Sequence, residues 1–235
     1  MYRYLNGLLL PSGEASVRDT PYVRAVRSVW AVAGKHPKDH FPVLGISRGM
    51  EMIAKVEQDR IRFADCDAIN MAGQLHIETD GERSSLLRDV DAPLRRALAS
   101  GSLTYSSHGR CLTPERLEAG GLAEDFRAVA TGRDRAGRKF VSVMEHKRLP
   151  IFGVQFSPQM SPFEWARSAE VDAVPRAPDA IRLSQLIANA FVDEARKSRH
   201  RFPSPELEED YLIYNYEPEF TGVVGSTYTS CYFFS

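Results

Sequence analysis

The stretch that decides the fold is Phe41-Pro42-Val43-Leu44-Gly45-Ile46-Ser47-Arg48-Gly49, followed by Met50, Ile53 and Val56. Phe41 to Ile46 is a short apolar run with β-branched members, the pattern of a buried strand. After Gly49 the apolar residues return at helical spacing. Between them Gly45-Ile46-Ser47-Arg48-Gly49 is a G-x-S-x-G pattern. At a strand-to-helix turn it describes a nucleophile elbow, in which a sharp bend lifts one side chain above the sheet and the next backbone N–H can bind an oxyanion. The competing reading is a serine on an ordinary βα turn, because short motifs recur by chance.

Working outward, Leu8-Leu9-Leu10 reads as a strand entering the turn Pro11-Ser12-Gly13. Tyr22 to Lys35 carries Val23, Val26, Val29 and Trp30 on one helical face. The opening is therefore strand–helix–strand–helix, the signature of an α/β fold with a mostly parallel sheet flanked by helices. Further on, Leu86–Ser100 and Pro114–Leu122 read as short helices. Phe126–Thr131 and Lys139–Met144 read as strands around a hairpin turn at Asp134-Arg135-Ala136-Gly137, and Pro150–Phe156 as a buried strand. Ser161 to Ala180 reads as an ordered loop anchored by Phe163 and Trp165. Asp179 is placed to cap a long helix from Ala180 to about Ser198. The tail after Arg201 is rich in Tyr and Phe and reads as apolar enough to pack down.

Composition excludes several classes. The 235 residues are 43% hydrophobic, enough for a sizeable core. Thirty basic against 31 acidic residues leave a net charge of −1, no footprint for nucleic acid. No apolar run approaches the ~20 residues of a membrane span. No metal-ligand spacing or cofactor motif stands out, so neither a metal nor a cofactor is expected. Three cysteines, Cys66, Cys111 and Cys231, are an odd number and lean towards a reducing compartment. As written, the chain has no signal peptide and no glycosylation sequon, and so reads as intracellular.

A serine elbow needs a base to take its proton. His36 and His40 lie in a Lys/Asp/Pro loop and read as solvated. His200 follows a helix, and His146 begins a polar loop. His76 and His108 remain as candidate site residues.

Several linked stretches resemble the γ-glutamyl hydrolases, which have the class I glutamine-amidotransferase-like fold. They are Leu5-Asn6-Gly7-Leu8-Leu9-Leu10-Pro11-Ser12-Gly13, Phe41–Gly45, Ala72-Gly73-Gln74-Leu75-His76, Ile151–Phe156, Pro162-Phe163-Glu164-Trp165, Phe191–Lys197 and Cys231–Phe234. They cover nearly the whole chain in the family's order. The resemblance implies one γ-glutamyl-hydrolase-like domain over residues 1–235, lacking the family's first strand–helix–strand unit. It also implies a lysosomal or secreted protein if an N-terminal segment is missing, and a homodimer or a subunit of a larger assembly.

The departures fall on the catalytic positions. Where the family has a nucleophilic cysteine in Gly-Thr-Cys-Leu-Gly, this chain has Ser47, with Arg48 in place of leucine. Where the family reads Gln-Trp-His-Pro-Glu, this chain reads Gln155-Phe156-Ser157-Pro158-Gln159, so Ser157 stands at the base position and Gln159 at that of the acid. Gly13, Arg48 and His108 occupy expected pocket positions. A hydroxyl is far less nucleophilic than a thiolate and here has no base, so the resemblance implies a degenerate site. Three readings follow: a pseudoenzyme with a binding, scaffolding or assembly role; an active γ-glutamyl peptide (folyl-polyglutamate) hydrolase using Ser47 with a relocated base; or a small-molecule sensor that keeps the pocket.

Overall fold

A computed structural model describes residues 2–13, 16, 20–36, 38–165, 169–222 and 228–234. Strands β1 (Leu8–Leu10) and β2 (Val43–Ile46) are joined by helix α1 (Pro21–Lys35), and α2 (Arg48–Glu57) follows β2 directly. Strand β3 (Ala64–Gly73), the short β4 (His76–Ile77), α3 (Ala92–Ser100), β5 (Thr104–Cys111) and α4 (Pro114–Ala119) come next. Then follow β6 (Phe126–Arg133), β7 (Lys139–His146), β8 (Ile151–Val154), α5 (Met160–Phe163), α6 (Pro178–Ala195), α7 (Pro205–Glu209), β9 (Glu219–Phe220) and β10 (Ser230–Cys231).

The central sheet has the order β1-β2-β8-β7-β6-β4. The pairs β1/β2 and β2/β8 are parallel, and β7 and β4 run against their neighbours, so four of the six strands point the same way. Every residue of β2 and β8 is buried, as expected of strands covered on both faces. On one face Val23 and Val26 of α1 and Met50 and Ile53 of α2 pack against Leu10, Val43 and Ile151. On the other, Leu94 and Leu98 of α3 and Leu183 and Ile187 of α6 pack against Leu44, Phe152 and Val154. Helices start where caps allow: the Thr20, Asp91 and Thr113 side chains accept from Val23 N, Leu94 N and Arg116 N, each with proline in the first turn.

Several details differ from the sequence reading. The second sheet, β3 paired antiparallel with β5, leaves no strand signal in the sequence: its register shifts twice, so no period-2 pattern survives. The first short helix begins at Ala92, not Leu86, because Asp91 supplies its cap. Asp179 caps nothing; α6 starts at Pro178 and Asp179 lies in its first turn, complementing the dipole. Phe163 does not anchor its loop, being 77% exposed; Trp165, itself half exposed, holds the Arg176 guanidinium 4.2 Å over its ring, and Val171 and Val174 pack with Met160 and Tyr105. Residues 166–168 of that loop lie outside the described residues. The tail does not pack down: α7 buries no residue, and Tyr211, Tyr214, Phe220, Phe233 and Phe234 are exposed. Residues 223–227 of the tail lie outside the described residues.

The cysteines also differ. Cys66 on β3 and Cys111 on β5 form a disulfide, leaving Cys231 free. The odd count therefore hides one pair, and such bridges persist in oxidising rather than reducing surroundings. Closing a loop of 45 residues is worth about 4 kcal/mol in the chain-entropy picture. Among the described residues no helix is long and apolar enough to cross a membrane, and no group of three His, Cys, Asp or Glu side chains is placed to hold a metal ion.

Candidate active site

In open α/β sheets the loops after the parallel strands converge on one crevice. Here those loops carry Ser12 and Gly13 after β1, Ser47 after β2, and Ser157 and Gln159 after β8. The chain order thus brings Ser12, Gly13, Ser47, Ser157 and Gln159, the residues singled out by the resemblance, to the same end of the sheet.

The elbow is present in its backbone. Ser47 has φ 52° and ψ −106°, one of two non-glycine residues with positive φ among those described. Such a conformation costs on the order of 1–3 kcal/mol and persists only where packing imposes it. Ser47 N–H donates to Val154 O at 2.6 Å, and Glu51 N–H donates to Ser47 O at 3.2 Å. These bonds tie the bend to β8 and to the first turn of α2. A Cβ on Gly49 would lie 2.1 Å from Leu10 O, and one on Gly45 2.5 Å from Gly49 C. Both glycines are therefore demanded by the approach of the helix to the strands.

The side chains do not complete the site. The Ser47 hydroxyl caps no backbone N–H of α2. The six imidazoles lie elsewhere. His40 Nε2 is 2.9 Å from Glu194 Oε2, so this residue is paired rather than simply solvated. His146 Nδ1 accepts from Arg148 N–H and Leu149 N–H, which places its proton on Nε2. His200 contacts Leu5 O and Asp39 Oδ2. His36 is exposed at the end of α1, and His76 is exposed on β4, the sheet's far edge from β1.

His108 is on β5, 6% exposed, its ring edge-on to Phe140 at 5.1 Å. Among the described residues neither ring nitrogen makes a hydrogen bond of ordinary geometry. Burial pushes its pKa down to about 4, with the Arg110 backbone and the Asp134 carboxylate pulling weakly the other way. It is a neutral core ring at physiological pH, and it makes no bond to Ser47 among the described residues.

Ser157 is buried, its N–H donating to Tyr105 O at 2.8 Å. Gln159 Nε2 donates to Ser12 Oγ at 3.1 Å, and Gln159 Oε1 is buried without a partner among the described residues. The amide thus points across to the loop after β1. Gly13, at φ 156°, has open space where a Cβ would go.

Two residues near the elbow gain roles that the sequence reading did not give them. Glu51 is buried in the first turn of α2, and Arg48 Nη1 donates to its Oε2 at 2.5 Å. Burial raises the Glu51 carboxyl above its ordinary range against the opposing pull of Arg48. The i, i+3 spacing of Arg48 and Glu51 was the available signal. Gln155 is fully buried with both amide atoms unpartnered, and nothing in its spacing announces that.

Two cavities, of about 330 and 640 Å³, are lined by none of Ser12, Gly13, Ser47, Arg48, His108, Ser157 or Gln159. Both lie at the opposite ends of the parallel strands.

The six-stranded sheet with helices on both faces and a strained elbow after β2 defines an α/β protein of the glutamine-amidotransferase-like fold. Among solved structures, SMU.1228c superposes with a TM-score of 0.50 at 14% identity, covering 81% of this chain and 80% of that one. A glutamine amidotransferase from Thermotoga maritima gives a TM-score of 0.49 at 12% identity, covering 81% and 78%. No protein-family model matches the chain. Among curated proteins, γ-glutamyl hydrolase from Homo sapiens is 28% identical across 100% of this chain and 73% of its own length. γ-Glutamyl hydrolase 1 from Arabidopsis thaliana is 31% identical over 98% of this chain and 66% of its own, and γ-glutamyl hydrolase B from Dictyostelium discoideum 28% over 94% and 64%. The chain belongs to the γ-glutamyl hydrolase family.

Proposed function

We propose that the protein is a pseudoenzyme of this family, one that no longer hydrolyses γ-glutamyl peptides and acts by binding or assembly. The observation that carries this reading is the hydrogen bond from Gln159 to Ser12, together with a Ser47 hydroxyl that bonds no imidazole among the described residues. A serine hydroxyl without a base has no route for its proton. An active hydrolase with a relocated base would need His108 or His76 at Ser47. His108 faces Phe140 and His76 is on the far edge strand, and neither bonds Ser47 among the described residues. The two cavities described lie away from the elbow, so the sensor reading draws no support from them.

Two surfaces support an assembly role, as a homodimer or as a subunit of a larger complex. Strand β1 sits at the edge of the sheet with Leu9 half exposed, and the arm after Arg201 exposes Tyr214 at 86% and Phe220 at 67%. Back-substitution followed by glutamate release from a folyl-polyglutamate tests the reading. Ser47→Cys alone is expected to give no activity, because Ser157 and Gln159 still supply neither base nor orienting acid. The triple change Ser47→Cys, Ser157→His, Gln159→Glu is expected to give the larger gain. Strong turnover from the single change would show that another residue already serves as base, and would overturn the reading.

A further inference from the structure

The larger cavity, about 640 Å³, lies between the single helical turn Tyr2–Tyr4, the end of α1 and the segment after α6. Its lining includes Arg3, Arg199 and Arg201, with Tyr2, Tyr4 and Asp39. These three arginines come from opposite ends of the sequence. None is ion-paired among the described residues. Four other arginines of the chain are paired with carboxylates, in Arg27–Asp59, Arg88–Asp193, Arg135–Asp67 and Arg182–Asp91, so that their charge is already met.

The one carboxylate in the lining is already engaged. Asp39 Oδ2 accepts from the Tyr2 hydroxyl at 3.2 Å and lies 2.9 Å from His200 Nε2. Burial, then the charge of Asp39, pushes the Tyr2 phenol up to about 12, so it stays a neutral donor. The walls are pinned to each other. Asn6 Nδ2 donates to His200 O at 2.9 Å, and His200 Nδ1 is 2.8 Å from Leu5 O. The two segments that carry the arginines are thus tied together around one groove, on a chain whose overall charge is −1. The carbonyl end of α1 opposes an anion, but only with a partial charge against three full ones.

We propose that this groove binds a small multivalent anion, carrying two or more carboxylates or phosphates, with Arg3, Arg199 and Arg201 as its charge partners and the tyrosine rings as walls. Guanidinium forks match both oxyanion types bidentately, so the two sources share one chemistry. The site is remote from the elbow and independent of whether hydrolysis survives.

Calorimetric titration of the purified chain at low ionic strength tests this, with citrate as the carboxylate probe, tripolyphosphate as the phosphate probe and acetate as the monovalent control. One saturable site is expected for at least one multivalent probe and none for acetate. Raised salt should weaken it. The double variant Arg199→Gln/Arg201→Gln should weaken it at least ~10-fold, whereas Arg133→Gln, at the β6–β7 hairpin, should not. Should the glutamine variant fail to fold, Arg199→Lys/Arg201→Lys keeps the charge but loses the fork and should still bind measurably more weakly. Whichever probe binds names the source. No binding by either probe, or equal binding by the arginine variants, would overturn the proposal.

Discussion

The two ends of the parallel strands have kept different things. At the C-terminal end the backbone is the specialised part: Ser47 is held at φ 52° and Gly49 lies against Leu10 O, while among the described residues no imidazole bonds the Ser47 hydroxyl. At the N-terminal end the backbone is ordinary and the side chains are arranged: His40 meets Glu194, His200 bridges Leu5 and Asp39, and two cavities open between them. An elbow's shape is enforced by packing between a helix and a sheet, so on the proposed reading it would outlast the reaction. A catalytic imidazole has no such packing to keep it in place.

The largest effect that sharpens this contrast is steric. Gly49→Ala places a methyl 2.1 Å from a backbone oxygen that cannot move without displacing β1. It should cost more than about 3 kcal/mol in urea denaturation. Gly137→Ala, at φ 81° but in open space, should cost only about 1–2 kcal/mol. Equal losses would break the claim that the elbow is imposed by packing.

Next comes acid. The His108 pKa of about 4 lies below its ordinary 6.5, so the unfolded chain binds the extra proton first as pH falls. Full stability is therefore present above pH 6.5 and is lost towards pH 4, by about 3 kcal/mol at most. His108→Phe should flatten the stability profile in that window. An unchanged profile would show that the ring is not the buried neutral group described.

The smallest effect is a gain. Ser47→Gly releases the positive-φ strain and should stabilise the fold by about 1 kcal/mol, read as a rise in denaturation midpoint. A loss would mean that the serine hydroxyl holds the elbow in a way its lack of a helix cap does not suggest.

Much of this was legible in the residues. The alternation of Leu8–Leu10, Tyr22–Lys35, Phe41–Ile46 and the stretch after Gly49 placed the sheet and its helices, because buried parallel strands leave short continuous apolar runs. The departures at Ser47, Ser157 and Gln159 were visible by position. The hydrogen bond from Gln159 to Ser12 was not, since it joins residues 147 apart. The β3/β5 pair escaped because its bulges erase periodicity, and the Cys66–Cys111 bridge because it depends on that pair. The arginine groove depends on the two ends of the chain meeting, which no local pattern encodes.

The central claim is that the elbow is a shape without a reaction. Its most direct test is glutamate release from a folyl-polyglutamate by the purified protein, measured beside Ser47→Ala. The account predicts no turnover above buffer in either protein. Turnover in the unmodified chain that disappears in Ser47→Ala would contradict it.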